Sequence, residues 1–326
     1  MRFFNALRRT PPWLALLLLA PVLGELVSAH QTPLEFLNPV NFVVLSLPYG
    51  FGALLCRELI VRRRKGVLAL FLLGVAYGIY EEGVVVHSFF NADWSELGDL
   101  ARYAYAGGVN WTWSELLTHF HAFISIGASV ILAEVIYPER RHEPWLGTRG
   151  LVACGLGLAA WAPAGLLMTD YFPPAGWYLA SWAAVIGLIA AAAWLPGLPS
   201  PSTPRKVPSP LLFLALGLVN TTVWFLAVYL TPDSSIPLAV TATVLPVLDI
   251  ISLWLIARWS GNGHAWDDRH RLALVAGLLG FFIYFCFAKD VEAWHGTSLV
   301  GAAALAGLWV VWKKVKTQRA KVQCKA

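Results

Sequence analysis

The sequence predicts an all-α, polytopic transmembrane helix bundle of about ten spans with both termini cytoplasmic, and three observations carry that reading. Of the 326 residues, 58% are hydrophobic and 13% charged, with a mean hydropathy of +0.62, whereas soluble domains carry roughly 25% charged residues. Apolar runs long enough to cross a bilayer recur along the whole chain. The basic residues are concentrated in alternate loops, as in multi-pass membrane proteins.

The first run, Trp13 to Ala29, follows Arg2, Arg8, Arg9 and Pro11-Pro12. A basic start and an apolar core are shared with signal peptides, but Glu25 within the run and the lack of a convincing small-residue cleavage site favour a retained first helix. The later runs are Asn38 to Ile60, Gly66 to Phe90, Trp111 to Ile136, Gly150 to Thr169, Gly176 to Leu195, Pro210 to Leu230, Ile236 to Ala257, Leu272 to Ala288 and Thr297 to Trp312. An even count puts both termini on one side, and the loops agree: that side holds 22 of the 24 Lys and Arg residues, leaving Arg102 and Lys289 for the other. The positive-inside rule makes the crowded side cytoplasmic and the chain a multi-pass protein of the cell membrane. The net charge of +5 and the pI near 9.1 therefore report topology, not a nucleic-acid partner. The expected partner is membrane lipid, while the oligomeric state is not written in the residues. Cys56, Cys154, Cys286 and Cys324 follow no ligand spacing and read as free thiols.

Residues 197–209, rich in Pro and Ser and including Arg205-Lys206, read as a cytoplasmic linker. It would separate a six-span bundle, 1–196, carrying the polar site from a four-span bundle, 210–326, with a basic tail. In the longest outer loop, Asn91 to Asn110, Asp93-Trp-Ser-Glu96 fits a capping box opening a short helix that Gly107-Gly108 would end. His142 and His264 read as surface residues of the cytoplasmic loops.

The functional argument starts at Glu81-Glu82, two carboxylates inside an apolar run. Charge at membrane depth costs at least ~2.5–3.5 kcal/mol per group, so such groups face a bundle interior or a wet cavity and mark function. The next run adds Glu115, His119 and His121 at matching depth by helical rise, and His87 lies near the end of the first. At 3.6 residues per turn Tyr77, Glu81 and Ser88 share one stripe, and Ser114, Thr118, His121 and Ser125 another. His119 and His121 diverge by about 200° on the same helix. Farther along, Asp249 sits mid-span and Asn220 midway along the preceding span, candidates for a transport or proton path.

Several chemistries fit these groups. Glu81 or Glu82 could act as general base on a water, with His119, His121 or His87 assisting, which makes an intramembrane hydrolase of a lipid-like or membrane-embedded substrate. Alternatively Glu82, Glu115 and His119 could hold a divalent metal such as zinc that activates the water. A proton- or cation-coupled transporter would use the same groups as carriers, and a non-catalytic scaffold would use them for cross-helix pairing.

Leu23-Gly-Glu25, Arg57-Glu58, the Tyr77 to Gly83 stretch, Gly108-Val-Asn-Trp111 and Pro144-Trp-Leu-Gly147 together resemble a family of uncharacterised prokaryotic multi-pass membrane proteins. That resemblance covers roughly the first half of the chain and implies no activity. More distantly, Glu81-Glu82 resembles the EExxxR motif of CAAX-type glutamate intramembrane endopeptidases, which implies a glutamate and downstream histidines activating water. The chain departs from that motif at Val86, where the family has Arg, and has no FxxxH followed by HxxxN or HxxxD downstream.

Overall fold

Ten helices run back and forth between two ends of one bundle. They are α1 (Pro12–Leu26), α2 (Pro39–Arg62), α3 (Val67–Val85), α4 (Trp111–Ile136), α5 (Thr148–Met168), α6 (Ala175–Trp194), α7 (Pro210–Leu230), α8 (Leu238–Ser260), α9 (Asp268–Val291) and α10 (Thr297–Gln323). The computed structural model describes residues 10–197, 206–291 and 295–323. Arg2, Arg8, Arg9, Arg205, Cys324 and most of the linker, 198–205, lie outside the described residues. Among the described residues nine helices are long and apolar enough to cross a membrane. The tenth, α1, joins ten α-helical residues to five in a π-helix, about 22 Å in all against a hydrocarbon core of about 30 Å.

Local chemistry sets the helix ends. Asn38 Oδ1 accepts the first free backbone N–H groups of α2, from Val40 and Asn41, and Asn110 Oδ1 accepts that of Trp113 at the start of α4. Proline occupies the first turn of α1, α2 and α7, where its missing N–H costs nothing. Gly261, at φ +59°, closes α8 in the left-handed region.

Contacts at the two ends confirm the alternation. At one end the Tyr137 hydroxyl donates to the Thr10 carbonyl (3.2 Å), Lys65 Nζ donates to the Leu195 carbonyl, Arg141 pairs with Asp268, and His270 Nε2 meets the Pro208 carbonyl (3.0 Å). At the other, His30 meets Glu96 (3.1 Å), Tyr171 donates to the Phe90 carbonyl (2.9 Å) and Tyr103 to the Ile236 carbonyl (3.1 Å). The short α1 thus runs between the same two ends as the other nine. Arg62, Arg63, Arg64, Lys65, Arg140, Arg141, Arg269 and Arg271 share the first end, hereafter the basic end.

A clamp fixes the basic end. Arg57 and Glu58, both without solvent exposure, pair at 2.9 Å. Arg57 Nη2 donates to the Arg140 and Arg141 carbonyls (3.2 and 2.8 Å), Glu58 accepts from the Trp145 backbone N–H (2.6 Å), and the guanidinium lies 3.7 Å from the Trp145 ring centre. Two buried charges are tolerable because each has its partners.

At the centre is α4, with 89% of its most apolar stretch buried, against 17% for α5 and for α6 and 22% for α8, which turn their surfaces outward. Helix α3 crosses α4 closely at Gly74 and Gly78: a Cβ on Gly74 would lie 2.8 Å from Ala122 Cα, and one on Gly78 would lie 3.1 Å from Thr118 Cα. Small residues four apart permit this approach.

The loop between α3 and α4 differs from expectation. Gly107 and Gly108, at φ +63° and +85°, form the turn of a two-residue hairpin, β1 (Tyr105–Ala106) with β2 (Val109–Asn110), instead of ending a helix. No helix opens at Asp93. Glu96 is drawn to His30, and the one helical turn in this loop is Leu100–Tyr103.

Cys56, Cys154 and Cys286 are buried free thiols.

Candidate functional site

Three of the helices change their winding where they carry polar groups. Val22–Leu26 of α1, Tyr80–Val85 of α3 and His121–Ala128 of α4 are π-helical, and such segments are rare and concentrate at functional sites. Glu25, Glu81 with Glu82, and His121 with Ser125 lie on these three segments, which meet in the core.

His121, 1% exposed, is the hub of this first group. Its Nδ1 lies 3.1 Å from Ser125 Oγ and 3.4 Å from Glu81 Oε2, and its Nε2 lies 3.2 Å from Glu82 Oε1. Tyr49 and Tyr77 wall the ring, with centroids at 5.7 and 5.6 Å. Ser88 donates to Glu82 and accepts from Trp113 Nε1 (3.1 Å). The 3.6-residue period places Ser88 on the Glu81 stripe, but the π turn takes up an additional residue and delivers it to Glu82. Tyr49 donates to Glu25 Oε1 (2.6 Å), and Glu25 Oε2 meets His30 Nδ1 (2.8 Å).

His119 belongs to a second group on the opposite side of α4. Its Nδ1 lies 2.9 and 3.1 Å from the two Asp249 oxygens. Asp249 Oδ1 also accepts from Asn220 Nδ2 (3.0 Å) and Trp224 Nε1 (2.8 Å), and Asn220 bonds Ser252 (3.1 Å). The imidazole stacks on both Phe123 and Trp224, each at 4.8 Å. With Nδ1 held as the donor to a carboxylate, Nε2 is the free ring nitrogen, and it is buried without a partner.

This second group lies in the wall of a cavity of about 520 Å³ bounded by α3, α4, α6 and α8. Ser114, Glu115, Thr118, His119, Ser181 and Asp249 are its polar lining, within otherwise apolar walls. Ile250, which is 65% exposed, also lines it, so the cavity opens on the flank of the bundle. Glu115 Oε2 is buried there without a partner.

The structure therefore divides the residues singled out in the sequence. Glu81 and Glu82 meet His121, but His119 meets Asp249 and Asn220, as the 200° divergence of the two histidines requires. His87 joins neither group: it is fully buried past the end of α3 at φ +63°, with Nδ1 3.3 Å from Thr169 Oγ1, and burial lowers its pKa. Glu82, Glu115 and His119 are not brought together as a metal-ligand set, because Glu82 lies on the His121 side of α4 and the other two on the cavity side. Among the described residues no three His, Cys, Asp or Glu side chains form such a set. Trp224 and Tyr49 escaped the sequence reading. Trp224 sits one turn from Asn220, a spacing that could have joined them.

Fold and polar groups define a multi-pass membrane protein with ionisable groups in its core and a cavity on its flank. Residues 14–169 match the model of an uncharacterized membrane protein family. That stretch contains Glu25, Glu81, Glu82, Glu115, His119 and His121, while Asn220, Trp224 and Asp249 lie beyond it. No curated protein and no solved structure matches the chain.

Proposed function

We propose that this protein is an intramembrane hydrolase that admits a lipid-like substrate sideways from the bilayer, with His119 as its general base. One observation carries the reading: a histidine with Nδ1 fixed on a carboxylate and Nε2 unpartnered lines a cavity that is apolar and laterally open. In the proposed step His119 Nε2 takes a proton from water as the water oxygen bonds to the scissile carbonyl carbon. The bond to the leaving group then breaks, and that group receives the proton from the imidazolium. Asp249 orients the ring and stabilises its charged form, held in turn by Asn220 and Trp224. Glu115 supplies a second carboxyl group to the cavity. The protein would lie in the cytoplasmic membrane with its basic end inward.

A separate observation favours a second reading, proton-coupled transport. Contacts of 2.6–3.1 Å link Glu96, His30, Glu25 and Tyr49 in series, and the Tyr49 ring lies against His121. That series leads from the loop end toward Glu81 and Glu82 and fits proton transfer.

One experiment separates the two. Purified protein in proteoliposomes would be offered lipid esters and amides while product and internal pH are followed. Hydrolysis that His119→Ala and Asp249→Asn each reduce by about 10²-fold or more, in protein of unchanged helicity and elution, is the expected result. Substrate-dependent proton flux without product, lost in Glu25→Gln, would replace the hydrolase reading with the second.

A further inference from the structure

A second cavity, of about 480 Å³, opens at the basic end and has opposite electrostatic character. Arg64 and Lys65 from the α2–α3 turn, Arg141 from the α4–α5 loop and Arg271 from α9 line it, with His142 and His264 beside them; Glu134 is the carboxylate in its lining. Asp268, just outside, pairs with Arg141 and lies 3.5 Å from Arg271. Four permanent cations thus face two carboxylates.

The donors in this wall are incompletely used. Trp266, 5% exposed, has an Nε1–H with no acceptor, and Arg141 Nε is buried without one, although Arg141 Nη2 reaches the Glu134 carbonyl (3.2 Å) and Asp268. Arg271 is held over the Trp266 ring (5.2 Å) and donates to the Gly263 carbonyl (3.0 Å). Buried N–H groups without acceptors are costly and uncommon in native proteins. Here they sit in a cavity of excess positive charge.

We infer that this cavity is a binding site for a phosphate-bearing ligand. Guanidinium groups from three elements match the geometry and charge of a phosphate, and Trp266 Nε1 and Arg141 Nε await its oxygens. The apolar side chains of Ile60, Val67, Leu70 and Ile131 also line the cavity and suit an organic portion. Basic pockets between helix ends also receive phosphate groups of anionic lipids, so the phosphate is either lipid-borne or free. The surroundings of His142 agree with the positive field: burial, then Arg141, Arg271, Arg57 and His264, lower its pKa.

The full chain in neutral detergent would be titrated with inorganic phosphate at constant ionic strength, chloride as control. Thermal midpoint and the His142 ring resonance are the readouts. Phosphate should raise the midpoint and move His142 toward its protonated position. Arg64→Gln and Trp266→Phe, which leave the Arg141–Asp268 pair intact, should each weaken binding about tenfold, the worth of one charge-assisted hydrogen bond. Phosphatidic acid in phosphatidylcholine nanodiscs displaces phosphate if the natural source is lipid, and leaves it bound if the source is soluble. Equal effects of phosphate and chloride, or unchanged affinity in both variants, would overturn the inference.

Discussion

His30 shows how a single contact becomes measurable. The Glu25 carboxylate 2.8 Å away, with Glu96 behind it, holds the imidazole pKa well above 6.5 against the opposing effect of burial. A raised histidine pKa contributes stability that is complete below pH 6.5 and is lost as pH rises through the folded value. Because the side chain is half-exposed, solvent screens that contribution. In Glu25→Gln the His30 ring should titrate closer to 6.5 than in the parent, as followed by its NMR resonances. A midpoint that does not move would remove Glu25 as the cause. At this scale the sequence was half-legible. Helical geometry separates His119 from His121 before any coordinates, but the partner of His119 is Asp249, 130 residues away, and no local pattern encodes such a contact.

At the scale of elements, the α3–α4 crossing brings Glu82 to His121. Its close approach depends on Gly74, where an added Cβ meets the backbone of Ala122, which has no rotamer with which to yield. Gly74→Ala should therefore lower stability by about 1–3 kcal/mol, the usual cost of overpacking. Gly155 on α5 faces no atom within 4 Å. There the same substitution should be neutral or stabilising by up to ~1 kcal/mol through helix propensity alone. Thermal unfolding in one detergent would rank the two variants on either side of the parent, and a Gly74→Ala protein as stable as the parent would show the crossing to be looser. The positions of the helices could be read from hydropathy, because each must satisfy its backbone internally in lipid. Their phase could not. Residues 80–85 and 121–128 look like ordinary α-helix in sequence, yet both are π-helical, and the winding of the first decides which carboxylate Ser88 reaches.

For the whole molecule, the alternation of basic and sparsely charged loops is the strongest signal in the chain, and the contacts at both ends of the bundle follow it. The short α1 fits the same alternation because its ends are tied to Tyr137 at the basic end and, through Glu25 and His30, to Glu96 at the other. We propose from the charge distribution that the basic end faces the cytoplasm: inward placement keeps about twenty Lys and Arg residues from having to cross the membrane. Single reporter cysteines test this in a background where Cys324 is replaced and the buried Cys56, Cys154 and Cys286 are retained. In intact cells a membrane-impermeant maleimide should label Ser95→Cys, in the exposed α3–α4 loop, and should label Thr148→Cys, at the basic end of α5, only after permeabilisation. The reverse pattern would invert the bundle without altering a contact within it. It would also move the phosphate-type cavity to the outer surface, where ligands from cytoplasmic metabolism could not reach it. The lateral cavity beside His119 would keep its access from the bilayer in either orientation, so its proposed chemistry does not depend on that outcome.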